Sequence, residues 1–155
     1  LARDDFGIDA EVTSDCAPLW GAVRSMLEVT KDIHVIRDAT RGGVGTVLYE
    51  IAGQSNVGVR IDAASVPVEP AVSGVCRMLG LEPLYLACEG RLVVIAPKEV
   101  ANDLVEALRK EPYSQGAAII GEITEEQPGW VVMKTEIGAE TLLPQPGGEL
   151  LPRIC

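Results

Sequence analysis

Aromatic side chains are scarce in this sequence: one Phe, two Trp and three Tyr make up 4% of 155 residues. Hydrophobic residues still reach 47%, so the core is predicted to be aliphatic, and a chain of this length is predicted to form one main domain. Histidine occurs once, at His34, and the four cysteines (Cys16, Cys76, Cys88 and Cys155) form no C-x-x-C pair. That argues against a structural zinc site, and no metal-ligand residue is assigned. Cys76 and Cys88 stand among apolar neighbours and read as small buried hydrophobes. Cations are outnumbered, with 13 Lys and Arg against 23 Asp and Glu, for a formal net charge of −10. A field of that sign repels nucleic acid and anionic membranes, so neither is an expected partner. It leaves room for a local anion site built from backbone N–H groups. No apolar run has transmembrane length and no signal peptide is visible. A reducing, cytoplasmic setting fits this cysteine usage best.

Patterning predicts alternating helices and strands. Asp15 is placed as an N-cap and Pro18 in a first helical turn, ahead of Leu19, Val23, Met26 and Leu27 at helical spacing. HVIR (34–37) reads as a strand, and DATRGGVG (38–45) as a glycine-rich turn opening a helix. Val44, Val47, Leu48 and Ile51 line one face of that helix, and Gly53 is its expected end. GVRID (58–62) alternates as a strand, and a helix around 72–79 stops at Gly80. Arg91–Ala96 is a buried type of strand closed by Pro97. An amphipathic helix follows over 99–110, with Val100, Leu104 and Leu108 inward. AAIIGEIT and WVVMKT read as two strands joined by the turn EEQPG. The fold class implied is α/β, a mixed β-sheet packed with helices and related to the ferredoxin-like arrangement. The expected division is a domain over 1–145 and a flexible tail over 146–155. The first residue is Leu1 and not methionine, which is expected of a domain taken from a longer protein.

Three segments can carry chemistry. In RDATRGGVG, Gly42, Gly43 and Gly45 let the backbone approach a ligand closely, and the helix start offers free N–H donors to an anion. Asp38 and Thr40 can orient the turn or help hold a metal–phosphate, and Arg37 and Arg41 can pair with phosphate or carboxylate. The competing reading is a plain strand-to-helix turn capped by Asp38 or Thr40. In CEGRL (88–92), Glu89 lies between apolar runs. Partial burial would raise its pKa towards that of a useful base; the alternative is an exposed Glu89 at a strand edge or paired with Arg91. The third is Cys155, the last residue, whose position at the tip of a Pro- and Gly-rich stretch offers reach. An exposed terminal thiol is open to oxidation and calls for a use. His34 reads as a packed or surface histidine.

Taken together, RDATRGGVGTVLYEIA, PLYLACEGRLVVIAP and the terminal LPRIC resemble the C-terminal half of the HypE family of hydrogenase maturation proteins. That family lies within the superfamily of ATP-dependent enzymes that includes aminoimidazole ribonucleotide synthetase and selenophosphate synthetase. The resemblance runs from about Asp15 to Cys155. It implies a partner N-terminal domain, absent from this chain, that dimerises and carries most of the ATP and magnesium (Mg) ligands, with a homodimer in the full-length protein. It implies that Cys155 accepts a carbamoyl group from the carbamoyltransferase HypF. ATP-dependent dehydration then turns that group into thiocyanate, and the cyanide passes to iron held by the HypC–HypD complex for the active site of [NiFe]-hydrogenase. Under this resemblance Glu89 is the candidate base, and Asp38, Thr40, Arg41, Gly42 and Gly43 face the nucleotide. The isolated chain is expected to show little or no ATPase or dehydratase activity. Two alternatives stand beside it: a selenophosphate or thiamine-monophosphate kinase type of enzyme, which has no need of a terminal Cys, and an interaction module that docks through its tail.

Overall fold

Residues 13–145 are described by the computed structural model. They contain α1 (Trp20–Val29), β1 (Val35–Ala39), α2 (Gly43–Ser55), β2 (Gly58–Asp62), α3 (Pro70–Leu79), β3 (Cys88–Ile95), α4 (Lys98–Leu108), β4 (Gly121–Thr124), β5 (Val131–Lys134) and β6 (Glu140–Leu142). Two short 3-10 turns lie at Ala63–Ser65 and Pro83–Tyr85. The α/β class expected from the pattern is the one found.

Local chemistry sets most of these boundaries. Gly80 takes a left-handed φ of 65° and ends α3 as expected. α2 runs past Gly53 to Ser55, and Asn56, at φ 52°, supplies its left-handed end. Asparagine tolerates that conformation better than most side chains, so the helix gains two residues over the sequence-based boundary. α1 begins at Trp20, with Leu19 at the N-cap position. Asp15 does not cap it, because its carboxylate is engaged elsewhere.

The strands form two sheets where one mixed sheet was expected. β1 and β3 make an antiparallel pair, and the other four run in the order β4-β2-β5-β6. Within the larger sheet β2 is antiparallel to β4 and parallel to β5, and β5 is antiparallel to β6. The two strands joined through EEQPG, β4 and β5, are not paired with each other: β2 lies between them. β2 carries Val59 and Ile61, each 3% exposed, and that apolar face claims the centre of the sheet. The connection crosses over the start of β2 to reach its far side. A Cβ at Gly58 would sit 1.8 Å from the Glu126 carbonyl oxygen, so only glycine lets the loop pass. Two backbone bonds fasten it there, Gly129 N to Val57 O at 2.9 Å and Val59 N to Trp130 O at 3.0 Å.

The core is aliphatic, as the scarcity of aromatics requires. Val47, Leu48, Ile51 and Ala52 of α2 pack on Val59, Ile61, Val93 and Val131, with Leu84, Tyr85 and Leu143 closing one end. The opposite face of the four-stranded sheet is laced with charge. Arg60 is bound by Glu126 and Glu140, and Lys134 lies 3.4 Å from Asp62.

Gly58→Ala is expected to destabilise the domain by about 1–3 kcal/mol, since loop 125–130 must lift off β2 to admit the methyl group. Urea unfolding checks this; an unchanged midpoint would contradict the crossing described here.

Candidate functional site

The glycine-rich turn is built by sterics. Ala39, fully buried, ends β1, and Thr40 donates its hydroxyl to Asp38 Oδ2 at 3.2 Å. Neither side chain caps α2: its N-cap is Gly42, at φ 72°, and no side-chain cap bond is made. The capping reading of Asp38 and Thr40 is thus not what the structure shows. Gly42 cannot be replaced easily, because a Cβ there would meet Thr46 Oγ1 at 2.2 Å. Gly43, at φ 64°, is tighter still, with the Leu86 and Leu84 carbonyl oxygens 2.4 and 2.5 Å from where its Cβ would be. Gly45 faces the Tyr85 ring in the same way, at 2.6 Å. The first turn of α2 therefore lies directly on segment 84–86. Its N–H groups are unclaimed by any side-chain cap, which suits an anion. Arg41 is exposed in the turn. Arg37 is bound to Glu50 of α2 at 2.6 Å, which ties β1 to the helix.

Segment 84–86 leads straight into Cys88, Glu89 and Gly90. The pairing of β1 with β3 slips at this point: Asp38 faces Leu92, but its neighbour Ala39 faces Cys88. Residues 89–91 are the surplus, bulged out opposite the entry to the glycine turn. A bulge re-aims side chains, and here it sets Glu89 beside the Asp38–Ala39 step. Glu89 is exposed, not partly buried as one reading of the sequence had it. Arg91 turns back to donate to the Gly90 carbonyl at 3.1 Å.

Asp15 holds the bulge in place. Gly90 N donates to Asp15 Oδ2 at 3.2 Å, and a Cβ at Gly90 would lie 1.7 Å from the Asp15 carbonyl oxygen. The sequence reading placed Asp15 on α1 because an acidic residue before a helix is a familiar capping signal; a contact with Gly90 leaves no local mark. The Cys88 thiol donates to the Leu86 carbonyl at 3.2 Å. Burial first, then the Asp15 carboxylate, push its pKa up; Arg91 pulls the other way and Glu89 adds a smaller push. Cys88 is thus kept as a thiol. His34 is exposed and lies 3.3 Å from Asp32, away from any cluster.

Cys155 and the whole stretch 146–155 lie outside the described residues. The residues leading to it are fixed. Leu143 is 1% exposed, and its N–H donates to Val131 O at 2.9 Å. The Tyr49 hydroxyl donates to the Leu143 carbonyl, and the Tyr85 hydroxyl donates to the Pro144 carbonyl. Burial, then Tyr49 and Glu82, push the Tyr85 pKa up to about 12, so it remains a donor at physiological pH. Neither tyrosine was singled out from sequence. Among the described residues no group of three or more His, Cys, Asp or Glu side chains is placed to hold a metal. No helix among them is long and apolar enough to cross a membrane.

Comparisons with known proteins identify the family and the fold. Residues 2–134 match the family model for AIR synthase related proteins, C-terminal domain. The carbamoyl dehydratase HypE of Azotobacter vinelandii is 42% identical over 153 residues, which is 99% of this chain and 45% of that protein. The HypE of Cupriavidus necator is 43% identical over 153 residues, covering 99% of this chain and 44% of its own length. A crystal structure of the hydrogenase maturation protein HypE superposes with a TM-score of 0.90 at 44% identity, covering 96% of this chain and 49% of that one. HypE in a HypE–HypF complex gives 0.87 at 35% identity, covering 94% and 47%. HypE in complex with ATP gives 0.86 at 41% identity, covering 93% and 45%. The chain thus spans just under half the length of the curated relatives it matches.

Asp15→Asn keeps an acceptor for Gly90 but removes a negative charge near Cys88. A thiolate is then less disfavoured, so the pH midpoint for alkylation of Cys88 is expected to move down. Peptide mapping after iodoacetamide pulses across pH reads Cys88 separately from the exposed Cys16; a midpoint that stays or rises would contradict the placement of Asp15.

Proposed function

The chain belongs to the AIR synthase related C-terminal domain family, in its HypE branch, and from that premise we propose that it serves as the C-terminal domain of an ATP-dependent carbamoyl dehydratase of [NiFe]-hydrogenase maturation. The observation that supports the reading is the register slip at 89–91, which leaves exposed Glu89 next to Cys88, the partner of Ala39 at the entry to the glycine turn, four residues after the Tyr85 that binds Pro144. A carboxylate, a set of helix N–H donors and a tethered thiol are what such a reaction needs.

In this reading Cys155 is a covalent carrier. Its sulfur takes a carbamoyl group from a HypF-type transferase, giving S–C(=O)–NH2. The amide oxygen receives a phosphoryl group from ATP and becomes a good leaving group. Glu89 takes protons from the nitrogen, the C–O bond breaks, phosphate departs, and S–C≡N remains. Asp38, Thr40, Arg41, Gly42 and Gly43 face the nucleotide, with the start of α2 as the anion-binding element. The protein's share of the work is positioning and electrostatics. Most ATP contacts, the magnesium ligands and the homodimer interface belong to a partner domain beyond this chain. The cyanide then passes to iron on a HypC–HypD type of complex, in the cytoplasm. The solved structures of HypE in complex with HypF and of HypE in complex with ATP support the partner and the nucleotide.

The test uses the two-domain protein with a HypF-type transferase, carbamoyl phosphate and ATP, followed by intact mass. Cys155→Ala is expected to gain no carbamoyl mass. Glu89→Gln is expected to gain it and then lose water about 10²–10⁴-fold more slowly than wild type. Dehydration of the Glu89→Gln protein at the wild-type rate would remove Glu89 from the role of base. The chain by itself is expected to turn over no ATP, and sustained ATP hydrolysis by it would contradict the assignment of most nucleotide contacts to the partner domain.

A further inference from the structure

Two hydroxyl groups from different parts of the fold converge on consecutive carbonyls just where the chain leaves the described core. Tyr49 stands on α2 and donates to Leu143 O; Tyr85 stands in the turn before β3 and donates to Pro144 O. Tyr85 is buried and Tyr49 half-buried; burial is the largest cause raising both hydroxyl pKa values, and a backbone hydrogen bond at Val131 pulls that of Tyr49 down. Neither bond is demanded by β6, which ends at Leu142, or by the sheet, whose last rung here is Leu143 N to Val131 O. Buried tyrosines could satisfy their hydroxyls in many ways; these two spend them on the exit path of the tail.

Their location gives the arrangement a purpose. The Tyr85 ring packs against Gly45, and its own backbone lies under Gly43, so it is locked to the start of α2. Cys88 and the bulged Glu89 follow within four residues. We propose that Tyr49 and Tyr85 are positioning residues that clamp the root of the C-terminal segment beside the glycine turn and Glu89, so that the Cys155 cargo meets the reacting groups of its own domain. This rests on the carrier reading of Cys155 given above. Eleven residues follow Pro144, so the thiol can lie at most about 40 Å from the clamp. Within that radius the direction of exit and the effective concentration at the site depend on where the root is held. Transfer of the carbamoyl group from a separate protein needs only a reachable thiol. Dehydration on the domain itself needs the root in place.

The two steps therefore separate the roles. In the two-domain protein, Tyr49→Phe with Tyr85→Phe keeps both rings and removes both donors. Carbamoylation of Cys155 and the KM for ATP are expected to be unchanged, while kcat for loss of water from the carbamoylated protein falls about tenfold. Exchange of the Leu143 amide is expected to speed up, with the melting temperature close to wild type. A general loss of structure would instead lower carbamoylation, ATP affinity and melting temperature together, and that outcome would overturn a positioning role. Normal dehydration of the doubly substituted protein would overturn it as well. If wild-type Cys155 is never carbamoylated, the carrier reading falls. The clamp is then judged by Leu143 exchange alone, where an unchanged rate refutes it.

Discussion

The first turn of α2 rests on the bare backbone of residues 84–86, and glycine at 43 is what permits the contact. Its left-handed φ of 64° and the two carbonyl oxygens within 2.5 Å of any Cβ leave no room for another residue. The contact fixes the direction of α2, whose buried face supplies Val47, Leu48, Ile51 and Ala52 to the core. It also fixes the start of β3 and, through Tyr85, the exit of the chain at Pro144. A glycine turn that reads in isolation as a ligand loop is thus first a packing device. No side chain caps the first turn of α2.

A second close approach completes the site. Asp15 passes over Gly90 at a distance that excludes a side chain and accepts its N–H. The hydrogen bond contributes about 1 kcal/mol, but its geometric effect is larger, because it holds a three-residue bulge out of the β1–β3 ladder. That bulge separates two neighbours with different fates. Cys88 is turned inward and held as a thiol, whereas Glu89 is turned out to solvent at the mouth of the turn.

What the sequence revealed and what it hid divide along contact range. β2 occupies the residues its alternation indicates, Gly80 stops α3, and Gly42–Gly43 opens α2, since each is decided by local backbone preference. Beyond small boundary shifts such as Asn56 for Gly53, the main errors involve partners far along the chain. Asp15 looks like a cap until Gly90, 75 residues away, claims its carboxylate. EEQPG reads as a short turn between two strands, but β2 takes the position between them, and Gly58 lets the loop backbone pass close. Glu89 was given a chance of burial from its apolar neighbours; in a bulge, alternation no longer tells which way a side chain points. The tyrosines could not be read at all, because a hydroxyl's partner 94 residues away in one case and 59 in the other leaves no trace in spacing.

The central claim is that the fold holds the root of the terminal segment so that Cys155 works beside the glycine turn and Glu89. A nitroxide label on Cys155, with Cys16, Cys76 and Cys88 replaced by serine, tests it directly through paramagnetic broadening of backbone amide signals. The account predicts that broadening concentrates on Gly42, Gly43, Glu89 and Gly90 and disperses when Tyr49 and Tyr85 become phenylalanine. Broadening spread evenly over the surface, or centred on another face and indifferent to the two tyrosines, would contradict it.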